Sequence, residues 1–132
     1  MKFISFVGGL ILASTSPALA LEQWGCKLLY AFVKDANEEV IEIPVDDQRA
    51  YFSIQDRKLA IYDNFRTEFP LIFDYALEGN GSRIYELFYT NTASVIQLKG
   101  EYKKGSSAKM RITENSDDDY LVVQDFDCLR DF

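Results

Sequence analysis

The sequence predicts an all-β domain of about eight short antiparallel strands in a meander, closed or nearly closed into a small barrel. Three observations carry this. Beyond residue 20 the apolar residues recur with period two, and no stretch of ten residues keeps a helical period. Turn-forming residues interrupt the alternation at short intervals. One cysteine lies near each end of that patterned region, at Cys26 and Cys128. A two-sheet sandwich is the alternative arrangement of the same strands.

Taken in order, Trp24, Cys26, Leu28, Tyr30 and Phe32 share one parity in a first strand of about residues 23–33. A charged turn follows at Lys34-Asp35-Ala36-Asn37. Residues 40–45 are extended, and Pro44 confines them to an edge or a connection. Phe52 and Ile54 alternate in the next strand, Asp56-Arg57 form a tight turn, and Leu59 and Ile61 alternate after it. Phe69, Leu71, Phe73, Tyr75 and Leu77 then share a face. Gly79-Asn80-Gly81-Ser82 marks a hairpin, because Gly and Asn accept the positive φ such turns need. Its partner strand carries Tyr85, Leu87 and Tyr89. Asn91-Thr92 turn into Ser94, Ile96 and Leu98, and the polar loop around Lys103–Ser107 leads to Met110 and Ile112. Asn115 to Asp118 turn into a last strand with Tyr120, Val122, Phe126 and Cys128 on one parity.

Residues 1–20 differ from the rest. Lys2 precedes an apolar run from Phe3 to Leu12, followed by small and polar residues, Pro17 and Ala18-Leu19-Ala20. This is the pattern of a secretory signal peptide cut after Ala20, leaving 21–132 as a single β domain. The apolar run falls short of the roughly 20 residues a membrane span needs. With Leu21 rather than Cys after the cut, no lipid anchor is expected, so the product is exported, periplasmic or secreted. Losing Lys2 takes the net charge from −7 to −8. So acidic a domain repels nucleic acid and anionic headgroups.

In an oxidising compartment two lone cysteines at opposite ends read as one disulfide, Cys26–Cys128. Closing a loop of roughly 100 residues is worth about 4.7 kcal/mol in the chain-entropy model. A redox or metal pair would want C-x-x-C spacing or further ligands, and neither is present. The chain also has no His. That removes Ser-His and Cys-His nucleophilic catalysis and His-ligated metals, and it points away from an enzyme. No cofactor or metal site is expected.

Four features bear on function. Eight Tyr and ten Phe, two of the Phe in the leader, make the domain rich in aromatic side chains that would line a lumen for an apolar ligand or, more simply, fill it. Asp74 and Glu86 face each other if the hairpin loop is Gly79-Asn80-Gly81, and would then form an acid–base pair. With Asn80-Gly81-Ser82 as the loop, Asp74 faces Phe88; like charges opposed across a ladder destabilise it, so this second register is expected. Asp117-Asp118-Asp119 lack the spacing of a calcium loop and read as a solvated turn. Lys99, Lys103, Lys104, Lys109 and Arg111 form a basic stretch that offsets the acidic final strand or meets an acidic partner.

Trp24-Gly25-Cys26 just after the leader, with Cys128 near the end, is similar to small exported bacterial proteins of uncharacterised function that begin W-x-C and end with a second Cys. The resemblance implies a periplasmic β domain and no activity. The layout also resembles the small barrel inhibitors of lysozyme, but their signature loop is missing and no inhibitory residue carries over. The reading that results is a monomeric, non-enzymatic domain that binds another envelope or secreted protein, inhibitor- or immunity-like. A small apolar-ligand carrier is the alternative, and a hydrolase built on Asp74 and Glu86 a remote third.

Overall fold

Each run of alternating residues becomes a strand, and every neighbouring pair of strands is antiparallel. The computed structural model describes residues 21–63, 71–89, 92–116 and 120–132. The expected leader, Phe69, Asn91 and Asp117-Asp118-Asp119 lie outside the described residues. The strands are β1 (Glu22–Lys34), β2 (Val40–Glu42), β3 (Arg49–Gln55), β4 (Lys58–Asp63), β5 (Leu71–Gly79), β6 (Ser82–Tyr89), β7 (Thr92–Gly100), β8 (Ser107–Ser116) and β9 (Leu121–Arg130). Each pairs with its successor from β3 to β9, and β9 returns to β1 over Trp24–Lys34. Eight strands therefore close into a barrel. β2 is a short extra strand, laid along β1 beyond the end of β3.

The strands are steeply tilted. Pairing leads from Phe32 of β1 through Val123, Thr113, Val95, Glu86 and Asp74 to Lys58 and Gln55. β3 at that level meets the start of β1, about ten residues before Phe32. Such a stagger is what lets eight strands close around a core of side chains.

Cys26 of β1 stands directly opposite Cys128 of β9, with Cα atoms 4.1 Å apart and sulfurs at bonding distance, 2.08 Å. The bond points inward, where both residues are buried. Its neighbours in the same inward row are small: Ala50 on β3, Ala108 on β8 and Gly100 on β7. A Cβ on Gly100 would stand 2.8 Å from the Ala108 Cα, so only glycine fits there. Bulkier residues fill the levels on either side, with Trp24 stacked on Phe52 at 5.6 Å and Phe73, Leu59, Ile96 and Met110 also fully buried.

Two bulges depart from simple alternation. In β1 the pairing with β9 slips between Leu28 and Tyr30. Ala31 then points inward, while Leu29 and Tyr30, the latter expected in the core, face solvent. In β5 it slips between Tyr75 and Leu77, so Leu77, also expected inside, turns outward and is 59% exposed. The last strand brings a smaller correction: Tyr120 is exposed, and Val123 is buried on the outer wall opposite Phe32.

The β5–β6 hairpin corrects the expected register. Its loop is the two residues Asn80-Gly81, both at positive φ (53° and 77°), with Gly79 paired to Ser82. The bulge then moves the register by one, so that Asp74 faces Glu86 rather than Phe88. Lys58 of β4 lies beside Asp74 and pairs with its carboxylate, which offsets the like-charge opposition.

The seam makes the first prediction. Replacing both cysteines by alanine should lower the free energy of unfolding by about 3–5 kcal/mol, since the bond spans 102 residues of sequence. Urea unfolding followed by Trp24 fluorescence measures this; an unchanged midpoint would show that the bond carries no such constraint.

Candidate functional site

Charged residues occupy some inward positions of the strands, and two of them form an ion pair. Glu22 shares the parity of Trp24 and Cys26, and Arg83 that of Tyr85. They meet across one mouth of the barrel. The Arg83 guanidinium lies 3.0 Å from both carboxylate oxygens of Glu22, and the Trp24 indole N–H donates to the same carboxylate at 3.0 Å. The two side chains are only 18% and 14% exposed. Tyr102, from the β7–β8 loop, lies flat on the guanidinium, 3.8 Å from Arg83 Cζ to the ring centroid. Its hydroxyl reaches the carbonyl oxygens of Leu98, at 2.8 Å, and of Gly81. Arg130 donates to the carbonyls of Tyr102 and Phe132, tying the loop and the end of the chain to the same mouth.

Electrostatically this cluster is self-contained. Burial opposes the charge on Arg83, but Glu22 outweighs it and the guanidinium pKa rises. Burial pushes the Tyr85 phenol up to about 12 against the pull of Arg83, and it raises Tyr102 as well. No buried side-chain nitrogen or oxygen among the described residues lacks a hydrogen-bond partner. A carboxylate that accepts three hydrogen bonds and a capped guanidinium make a plug.

The residues singled out from sequence are placed as follows. Asp74 and Glu86 are neighbours, but on the convex outer wall, with Asp74 tied to Lys58 and largely exposed. Lys109 pairs with Asp127 at 2.9 Å, and Arg111 grips Asp125 in a fork of 2.7 and 2.9 Å. Those two basic residues therefore offset β9. Lys99 stands opposite Lys109, and with Arg111, Gln97 and Leu29 they edge an open groove of about 480 Å³. The aromatic side chains divide between the core and the outer wall.

A second outer depression of about 340 Å³ was not foreseen. Gly25 lies on the outer face of β1, between Tyr51 of β3 and Leu129 of β9. The depression is lined by Tyr51, its cross-strand neighbour Tyr62, Gln23, Ser53 and Asp131, and Asp131 Oδ2 and the Tyr51 ring lie 3.5 and 3.6 Å from where a Cβ on Gly25 would stand. A glycine on the solvent parity of an otherwise continuous strand is the signal in the sequence that marks such a spot. Among the described residues no three Asp, Glu or Cys side chains converge to hold a metal ion.

Comparison with known proteins adds no constraint: no family model matches the chain, and no curated protein or solved structure matches it either.

The buried phenol beside the plug gives a pH test. Because the folded pKa of Tyr85 exceeds its ordinary value of 10.0, its contribution to stability is complete below pH 10 and is lost as pH rises toward 12. The gap corresponds to about 3 kcal/mol. Denaturant unfolding at pH 9 to 12 should show a shallower decline for Tyr85→Phe than for the parent. Equal slopes would contradict the assignment.

Proposed function

We propose that this protein is an exported, non-enzymatic domain that acts by binding another protein through the outer wall of its barrel. One observation carries the choice: the inward residues from Trp24 and Phe52 to Ile96 and Met110 are buried against one another, and among the described residues the groups at the Glu22–Arg83 mouth have partners of their own. A lumen ligand would have to displace that packing, so the carrier reading is set aside in favour of the wall. Export is supported by the leader-like first twenty residues and by a cysteine pair at bonding distance, which suits an oxidising compartment.

The wall formed by β9, β1, β3 and β4 fits the role. Tyr51 and Leu129 are each about half exposed on either side of Gly25, and tyrosine is among the residues enriched at protein interfaces. The scaffold behind them is closed and cross-linked, so little ordering would oppose association.

A photo-crosslinking residue in place of Tyr51, in the cell that makes the protein, should yield one discrete protein adduct. The same residue in place of Gln97, across the barrel on β7, should not. Gly25→Val fills the cleft, where a Cβ meets nothing closer than 3.5 Å, and should remove the adduct without lowering the melting temperature. No adduct from position 51, or the same adduct from both positions, would sink the proposal.

A further inference from the structure

We propose that the Gly25 cleft is a cation site that seats a lysine or arginine side chain of the partner. The inference rests on the protein-binding reading for the identity of the ligand's carrier, and on the cleft's own geometry for its chemistry.

The position a Cβ would occupy on Gly25 lies 3.5 Å from Asp131 Oδ2 and 3.6 Å from the Tyr51 ring. One small space is thus bordered at once by a carboxylate oxygen and by an aromatic ring. Tyr62, opposite Tyr51 in the ladder, adds a second ring to the cleft, and Gln23 and Ser53 contribute polar atoms. Aromatic rings and a carboxylate around one opening suit a positive charge: the carboxylate pairs with it, and a ring attracts it where the cation sits over its face.

The surrounding charges agree. Asp131 makes no ion pair among the described residues, and Arg49, on the neighbouring strand, lies 3.6 Å from Asp47. Arg130, the residue beside Asp131, is turned to the mouth and hydrogen-bonded there. The whole chain carries −7, which favours the approach of a basic partner. An anionic group would meet the Asp131 carboxylate. An apolar stem with a charged tip fits the cleft's mixed lining of tyrosines and polar groups.

The probe is Nα-acetyl-lysine methylamide, titrated into ¹⁵N-labelled full-length mature protein, with the arginine analogue alongside. The neutral norleucine analogue and N-acetylglucosamine serve as controls. Both cations should shift the amides of Gly25, Tyr51, Tyr62 and Asp131, and the controls should not. Asp131→Asn, an exposed change at the residue after the end of β9, should weaken the response about 3–10-fold while leaving the rest of the spectrum in place. Equal shifts from norleucine, a response to the sugar alone, no response to either cation, or one untouched by Asp131→Asn would each overturn the cation site. The crosslink at Tyr51 separates the two claims. An adduct indifferent to Asp131→Asn ends the cationic anchor and leaves protein binding standing. A cation response without any adduct keeps the site and ends the protein partner.

Discussion

A meander leaves two free edges, its first strand and its last, and apart from β1–β3, which passes over the short β2, every other ladder in this protein joins strands that are also neighbours in sequence. The β1–β9 seam alone brings together residues a hundred apart, so the loop-closure entropy of the whole fold falls on it. The Cys26–Cys128 bond sits in the middle of that seam. The inward row Ala50, Cys26, Cys128, Ala108 and Gly100 shows what the bond demands: it takes up interior volume, and its neighbours stay small so that the strands approach. The larger side chains are displaced to the levels above and below, where Trp24, Phe52, Leu28 and Met110 fill the barrel.

Closure also sets the character of the two surfaces. Inside, a small radius leaves room for side chains and for one ion pair, which is stable there because Glu22 and Arg83 arrive with their partners already present. Removing one of the two would leave a poorly solvated charge, and such losses exceed those at exposed pairs like Lys34–Glu38. Outside, almost every charged residue is free to meet water or a neighbour across the ladder. On that outer wall Tyr51, Tyr62 and Asp131 line a depression beside Gly25.

Much of this was legible in the residues. Period-two alternation located the strands, Asn80-Gly81 the hairpin, and the two cysteines the seam, because each is a local rule with a steric or redox cause. The bulges at Leu29 and Ala76 were not, since nothing in those residues marks them; they belong to the curvature of a closed sheet, and each one reversed the facing of the residues beyond it. The opposition of Asp74 and Glu86 followed from the second bulge and was tolerable only because Lys58 lies on the next strand, a third partner that pairwise reasoning on one hairpin omits. The plug left a trace that period-two reading supplies but composition does not: Glu22 and Arg83 are charged residues on an apolar parity. Their meeting required the closed barrel.

Closure of β1 on β9 is the claim from which the rest descends, and native-state hydrogen exchange tests it most directly. In a closed barrel the β1 amides that point toward β9 exchange as slowly as those in the middle of β7, at the rate of global unfolding. The outer edge of β2 supplies the fast reference within the same molecule. Seam amides exchanging as fast as those of β2 while β7 stays protected would contradict the account, and would describe an open sheet whose first and last strands are held together only at their cysteines.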